Sequence, residues 1–330
     1  MSTPPVLVVL CADQDDAPPQ LAALADRVDL RIATEADLGE ALAGARGLFL
    51  WDFFSSAVRD VWQHCGDLEW IHVAAAGVDT LLFEELRGSD VVVTNARGVF
   101  DRPIAEYVLA AVLAHAKRLH ESSELQRRRE WLHRETRSVR GARAVVVGTG
   151  GIGRETARLL AAVGMDVSVA GSRARTDPEL GEVIDSGRLA EHLAGVDHLV
   201  NAAPLTERTR GLIDAEVLAA LPPTAHLVNV GRGPTVVEED LLAALQEGRL
   251  DGATLDVFAT EPLPPDSPLW DAPGVVVSPH MSGDVVGWRD TLADQFVANA
   301  RRWLDGEPLE NVVDKERGYV PGGGTSLQPG

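Results

Sequence analysis

The chain has 330 residues, 45% of them hydrophobic, and is therefore long enough to bury the cores of two domains of ordinary size. Its formal net charge of −20 repels polyanions over the whole surface, so we expect neither nucleic acid nor an acidic membrane face as a partner. An anionic small molecule would need local positive groups.

The two cysteines, Cys11 and Cys65, are too few for a disulfide framework or a Cys-rich zinc site. We interpret both as core thiols and expect no metal centre. The opening segment MSTPPVLVVLC has no basic region, and its apolar run is far shorter than a signal or membrane segment requires. It predicts a first buried strand in a cytoplasmic protein.

The first third of the chain alternates short apolar runs with helical patterns, which is typical of a small parallel α/β unit. The predicted strands are residues 6–10, 28–32, 47–50, 70–73 and 91–94. A long amphipathic helix is predicted over residues 103–119. The charged stretch LQRRREWLHRETRSVRG then interrupts the apolar periodicity, and a crossover between domains fits there.

From Arg143 the pattern restarts with stronger strands, which together predict a complete doubly wound sheet. These strands are residues 144–147, 166–170, 198–201, 226–230, 253–257 and 275–278. A final helix is predicted over 286–304. Residues 317–330, which include the glycine-rich GYVPGGGTSLQPG, are predicted to be a flexible tail.

A glycine motif lies between the strand RAVVVG and a helical pattern, which is the setting that a phosphate-binding loop requires. Gly148 permits the tight turn, Gly150 lets the backbone approach a pyrophosphate, and Gly153 allows close contact of helix and strand. Gly151 and Ile152 complete the motif. The loop therefore predicts a dinucleotide site; a purely structural turn is the alternative.

The strand after this loop ends near Ser172, where an NAD enzyme usually has a carboxylate for the ribose 2′-hydroxyl. Here Arg173 and Arg175 stand instead, and they suit a 2′-phosphate, with Ser172 as an added donor. We therefore favour NADP(H). In the alternative, the arginines are solvated and Asp177 or Glu179 reaches the ribose of NAD(H).

Three polar residues follow three predicted strands, and ligands of open α/β sheets bind at the carboxyl ends of strands. His280 is a candidate proton donor to a ketone, and Glu261 would stabilise and orient its charged imidazole. Arg232 would bind a substrate carboxylate and polarise the ketone. Each residue alone also has an ordinary structural interpretation. Asp256, inside a strand, is expected to contact the cofactor or to make structural hydrogen bonds.

With these residues the chain resembles the D-isomer-specific 2-hydroxyacid dehydrogenase family, closest to its glyoxylate and hydroxypyruvate reductase branch. The matching segments are GTGGIG, AAPLTERTRGLI, NVGRGPTVVEEDLLAAL, LDVFATEPLPPDSPLW and SPH. The resemblance implies two doubly wound α/β domains, a flavodoxin-like substrate domain (1–98 and 286–330) with an inserted Rossmann dinucleotide-binding domain (99–285). It implies NAD(P)H-dependent reduction of a small 2-oxo acid to the D-2-hydroxy acid.

The resemblance also implies roles for single residues. Arg232, Glu261 and His280 fall on the family's catalytic set, and the turn at Ala76 and Gly77 on the backbone donors to the substrate carboxylate. The implied cofactor contacts include the glycine loop and the segment with Ser172, Arg173 and Arg175. The others are Pro204, Thr206, Val230, Asp256 and His280.

The family further implies closure of the two domains on substrate, and a homodimer. Trp131 lies in the arm that approaches the partner's active site in some members, although plain packing is its alternative. Two other functions stay open. One is an oxidative, NAD-dependent dehydrogenase. The other is a dinucleotide-sensing scaffold like the family's corepressors, which should carry a partner-docking groove or extension.

Overall fold

The computed structural model describes residues 3–321, and the chain divides into two compact units. The first comprises residues 1–100 and 285–330, and the second comprises residues 101–284. The predicted boundaries after 98 and 285 lie two residues before the first observed crossing and one residue after the second. The charged stretch LQRRREWLHRETRSVRG is not a crossover, because it lies wholly inside the second unit.

The first unit has a parallel sheet of five strands in the order β2-β1-β3-β4-β5. This is the flavodoxin-like order. The strands are β1 (Val6–Leu10), β2 (Asp29–Ala33), β3 (Ala45–Leu50), β4 (Trp70–Val73) and β5 (Val92–Asn95). Most residues of β1, β3, β4 and β5 are buried, as expected for a parallel sheet covered on both faces.

The second unit has, within the described residues, a sheet of eight strands in the order β13-β12-β11-β10-β6-β7-β9-β8. They are β6 (Arg143–Val147), β7 (Asp166–Gly171), β8 (Arg175–Asp177), β9 (Gly181–Asp185), β10 (His198–Asn201), β11 (His226–Asn229), β12 (Gly252–Leu255) and β13 (Val275–Val277). All pairs are parallel except that of β8 with β9.

The order confirms the doubly wound prediction, but the predicted six strands omit β8 and β9. Of their eight residues only Asp177 and Val183 are buried, so the pair carries almost no apolar signal.

Nine α-helices lie in the described residues: α1 (Leu38–Ala41), α2 (Ala57–Asp60), α3 (Glu84–Arg87), α4 (Asp101–Ala116), α5 (Leu119–Arg128), α6 (Gly151–Ala162), α7 (Ala215–Ala219), α8 (Glu238–Gln246) and α9 (Trp288–Asp305). Short 3-10 helices cover Gln14–Asp16, Pro19–Leu24, Trp62–His64, Ser186–His192, Gly233–Thr235 and Pro268–Trp270. The predicted helix 103–119 ends earlier, at Ala116, because Arg118 is in the left-handed conformation (φ +50°).

The first unit packs α9 on its sheet through stacked aromatic rings. The ring of Phe296 lies 3.8 Å from that of Phe49, with an angle of 4° between the planes, and 5.5 Å from that of Trp70. In the predicted tail, Gly318 N–H donates to Asp314 O and Tyr319 O accepts from Asp314 N–H, so its first residues form a bonded turn. Residues 322–330 lie outside the described residues.

Candidate active site

The glycine loop joins β6 to α6, and two of its glycines pack directly against backbone atoms. Gly148 has φ +125°, and a Cβ there would lie 2.8 Å from Ala202 O. A Cβ at Gly153 would lie 2.0 Å from Gly148 O, so both positions require glycine. A Cβ at Gly150, in contrast, would meet no described atom within 4 Å. The space beside Gly150 is therefore open, whereas a Cβ at Gly151, the first residue of α6, would meet the carboxylate of Asp101. The N–H groups and the dipole at this helix start suit a pyrophosphate.

The segment after β7 presents two polar side chains to solvent, Ser172 and Arg173. Arg175 is only partly exposed, and its Nη2 lies 3.7 Å from Asp177 Oδ2. Asp177, the alternative ribose ligand, has only 6% of its side chain exposed and is held by Arg154 through two hydrogen bonds of 2.9 and 2.5 Å. The exposed groups at this strand end are therefore a hydroxyl and a guanidinium, and Asp177 is turned inward.

The structure places Arg232, Glu261 and His280 in the loops that follow β11, β12 and β13, which are neighbours in the sheet. All three loops thus leave the same, carboxyl edge. The first two loops pack tightly, because a Cβ at Gly233 would lie only 1.8 Å from the carbonyl carbon of Phe258. Arg232 Nη1 donates to Gly231 O at 2.9 Å.

Glu261 and His280 form a direct pair, with 2.7 Å between Glu261 Oε2 and His280 Nδ1. Glu261 Oε1 accepts the N–H of Phe258 at 2.8 Å, which fixes the carboxylate. Burial would raise the pKa of Glu261, but the hydrogen bonds from His280 and Phe258 and the charges of His280 and Arg232 outweigh it and lower that pKa. An ionised Glu261 accepts a hydrogen bond from Nδ1–H, which leaves Nε2 as the position that exchanges a proton with a ligand.

Asp256, fully buried at the end of β12, holds the loop that carries His280. Its carboxylate accepts hydrogen bonds from Ser278 Oγ (2.6 Å), Met281 N–H (3.0 Å) and Ser282 N–H (2.9 Å). Its carbonyl oxygen accepts His280 N–H at 2.8 Å. His280 has φ +51°, a conformation that costs a non-glycine residue of order 1 kcal/mol and that these bonds maintain. The structural alternative for Asp256 therefore has direct geometric support.

The other predicted contact residues lie in loops with fixed backbones. Asn95 Nδ2 donates to Ala76 O at 2.5 Å. Because the peptide between Ala76 and Gly77 is trans, the N–H of Gly77 points away from that carbonyl oxygen. Thr206 N–H donates to Thr209 Oγ1 at 2.8 Å, and Thr209 Oγ1 donates to Pro204 O at 2.6 Å.

Val230, the last of these predicted contacts, continues β11, with its N–H on Asn201 O at 3.0 Å.

Several residues that support the site were not predicted from the sequence. Tyr107, on α4, lies 2.6 Å from Ser278 Oγ through its hydroxyl. Asn201 Nδ2 donates to Asn229 Oδ1 at 2.8 Å and to Thr235 Oγ1 at 2.6 Å, below the Arg232 loop. The asparagines had a usable signal, since β10 and β11 share the sequence HLVN and each ends in a buried polar residue. Tyr107 had none.

Neither a membrane-spanning helix nor a cluster of metal ligands occurs among residues 3–321. None of the described helices is both long and apolar enough to cross a membrane. No group of three or more His, Cys, Asp or Glu side chains in that range is arranged to hold a metal ion.

Residues 109–282 match the family model of the D-isomer specific 2-hydroxyacid dehydrogenase NAD-binding domain. The glyoxylate/hydroxypyruvate reductase A of Klebsiella pneumoniae (strain 342) is 33% identical over 260 residues, which are 76% of this chain and 82% of that protein.

Two solved structures are also similar. The D-isomer specific 2-hydroxyacid dehydrogenase of Xanthobacter autotrophicus Py2, in complex with NADPH and MES, has a TM-score of 0.83 and 34% identity, with 96% and 100% of the two chains covered. The NADPH-dependent glyoxylate/hydroxypyruvate reductase of Sinorhizobium meliloti, with NADP and sulfate, has a TM-score of 0.80 and 32% identity, over 96% and 100%.

The dinucleotide loop and the paired acid and imidazole at neighbouring strand ends define a dinucleotide-dependent oxidoreductase. The chain belongs to the D-isomer specific 2-hydroxyacid dehydrogenase family, as its resemblance predicted.

Proposed function

We propose that this enzyme reduces a small 2-oxo acid, such as glyoxylate or hydroxypyruvate, to the D-2-hydroxy acid with NADPH as the preferred reductant. The observation that carries the proposal is the Glu261–His280 pair, 2.7 Å apart, beside the Arg232 loop at one sheet edge. The names of the similar proteins, glyoxylate/hydroxypyruvate reductases, support the substrate class.

The three catalytic residues have different tasks in this reaction. Arg232 binds the substrate carboxylate and polarises the ketone, because a guanidinium offers paired donors to a carboxylate. His280 donates the proton from Nε2 to the ketone oxygen as negative charge develops there. Glu261 stabilises the charged imidazole before the transfer. The N–H of Gly77, whose peptide is fixed by the bond from Asn95 to Ala76 O, stays a predicted carboxylate donor of the first unit, as the family resemblance implies.

The residues around the glycine loop fit NADP(H). Gly148 to Gly153 and the start of α6 would hold the pyrophosphate, and Ser172 and Arg173 the 2′-phosphate, with Arg175 behind them. Bound NADPH supplies the hydride. Both similar structures described above were solved with NADP or NADPH.

Pro204, Thr206 and Val230 would line the remainder of the cofactor. Asp256 acts through the loop that it holds, and any contact with the nicotinamide would be additional.

We also propose a cytoplasmic homodimer. Cys11 and Cys65 are buried free thiols, as is common in a reducing compartment. Trp131 is fully exposed, and Leu132 beside it is 57% exposed, in a segment of the second unit without helix or strand. A second copy of the chain would bury this apolar pair. Light scattering of wild type and Trp131→Ala tests this; a wild-type monomer would contradict it.

One assay tests the proposed reaction. Purified protein is mixed with NADPH or NADH and a panel of 2-oxo acids, and loss of nicotinamide absorbance is followed. We expect turnover of glyoxylate or hydroxypyruvate, with a higher kcat/KM for NADPH. The variant His280→Ala should lose about 100-fold or more of kcat and keep its cofactor affinity. Absence of turnover across the panel, or a variant as active as wild type, would refute the proposal.

A further inference from the structure

Arg154, in the first turns of α6, links the phosphate loop to the segment after β7. Its Nη1 and Nη2 hold Asp177 Oδ1 and Oδ2 at 2.9 and 2.5 Å, a bidentate pair. Its Nε donates to Thr149 O, inside the glycine loop, at 3.1 Å. One side chain thus fixes both segments that would surround the adenosine half of a dinucleotide.

Asp177 is the first carboxylate after β7, and it would be the ordinary choice for a ribose diol. Its acceptor capacity is used inside the protein. Besides the two bonds from Arg154, Oδ1 accepts the N–H groups of Glu179 (3.1 Å) and Leu180 (3.2 Å). Arg154, followed by these N–H groups, holds the pKa of Asp177 well below its usual range, so it is ionised at neutral pH.

The local charges then favour an added phosphate. Arg154 and Arg175 are balanced by Asp177 and by the exposed Glu179, which pairs with Arg154 Nη1 at 2.8 Å. Arg173 is exposed and adds one positive charge at the end of β7. Without Arg154, the carboxylates of Asp177 and Glu179 would be balanced only by Arg175, which leaves one negative charge near the proposed 2′-phosphate.

We propose that Arg154 is a specificity-determining residue, which selects NADPH over NADH by withholding Asp177 from the ribose and cancelling its charge. This inference rests on the proposed NADPH preference. It attributes part of that preference to a residue that is not itself a proposed ligand of the 2′-phosphate. It predicts that Arg154 acts through Asp177, so removal of the carboxylate should cancel the effect of removing the arginine.

The test measures dissociation constants of NADPH and NADH for the full-length protein by nicotinamide fluorescence, with a thermal melt of each apo variant. We expect Arg154→Gln to weaken NADPH binding about tenfold and to leave NADH binding equal or tighter. The double variant Arg154→Gln/Asp177→Asn should recover most of the NADPH preference. Arg158→Gln, the same exchange at an exposed arginine one turn further along α6 that pairs with Glu155, is the matched control and should change neither constant.

Three results would count against the inference. A wild-type preference that Arg154→Gln does not alter would overturn it. A double variant that binds NADPH as weakly as Arg154→Gln, with an unchanged melting temperature, would also overturn it, because Arg154 would then act independently of Asp177. A double variant with weak NADPH binding and a much lower melting temperature would show that Arg154 and Asp177 have a structural role and do not select the cofactor. A wild type without NADPH preference would instead refute the proposed cofactor, which is a separate readout.

Discussion

Ser278 Oγ donates a 2.6 Å hydrogen bond to Asp256 Oδ1, two residues before His280 in the chain. The same hydroxyl oxygen lies 2.6 Å from Tyr107 Oη, so the tyrosine on α4, the serine and the buried aspartate form one chain of hydrogen bonds. Asp256 in turn holds the N–H groups of Met281 and Ser282, directly after the turn at His280. The orientation of the imidazole is therefore set partly from a helix that does not carry it.

Ser278→Ala should therefore lower kcat without removing cofactor binding. The alanine deprives buried Asp256 of one donor, and the loop that carries His280 in its left-handed conformation loosens. We expect a fall in kcat of about tenfold, with KM for the oxo acid less affected. Ser278→Thr keeps a hydroxyl and should restore most of the rate. If alanine and threonine variants were equally impaired, the hydroxyl would not be the cause.

Sequence patterns predicted the two sheets, the glycine loop and the three strand ends, because buried parallel strands and glycine turns leave strong local signals. They did not predict β8 and β9, whose sequences are mostly exposed. Nor did they predict the partners of Arg154 and Ser278. The bidentate bond from Arg154 to Asp177, 23 residues away, depends on tertiary packing that no local pattern encodes. The same holds for the single hydrogen bond between Tyr107 and Ser278, 171 residues apart.

Glu261→Gln should change the pH profile as well as the rate. The hydrogen bond to Nδ1 of His280 can persist, but the negative charge that stabilises the imidazolium is lost. We expect kcat for reduction to fall about 100-fold and the alkaline limb of kcat/KM to move to lower pH, because the carboxylate that pairs with the proton donor no longer carries its charge. The measurement is the reduction rate from pH 5 to 9. Glu238→Gln serves as the control, because among the described contacts this carboxylate bonds only to Ala259 N–H. An unshifted limb would argue against this pairing.

Gly150→Ala and Gly153→Ala should separate cofactor binding from folding. Gly150 has φ −75° and open space at the Cβ position, so alanine should leave the melting temperature within about 2 °C of wild type. Its methyl group would, however, occupy the space proposed for the pyrophosphate, and we expect NADPH affinity to fall at least about tenfold.

At Gly153 the methyl group would lie 2.0 Å from Gly148 O, and we expect destabilisation of roughly 2 kcal/mol or more. The checks are a thermal melt and a fluorescence titration of each variant. A Gly150→Ala variant that binds NADPH normally would contradict the proposed position of the pyrophosphate.

A cluster of three histidines lies at the opposite edge of the second unit's sheet, where β10 and β11 begin. The rings of His115 and His226 are stacked 4.1 Å apart, and the ring of His198 meets that of His226 edge-on at 5.6 Å. Asp251 Oδ2 lies 3.3 Å from His115 Nε2, and the charges of Asp197 and Arg137 also act on the cluster. Burial, with the neighbouring His115 second, lowers the pKa of His198 from 6.5 to about 4.

This cluster should make the protein lose stability in mild acid. Between pH 6.5 and 4 an unfolded His198 binds a proton that the folded protein excludes, so the free energy of unfolding falls as the pH falls through that window. From the shift of His198 alone we expect a loss of about 2 kcal/mol between pH 7.5 and 5. Urea unfolding at both pH values measures it. His198→Leu should reduce the difference by about that amount, whereas His133→Gln, at an exposed position, should leave it unchanged. An identical pH dependence in wild type and His198→Leu would mean that His198 is not excluded from protonation in the folded state.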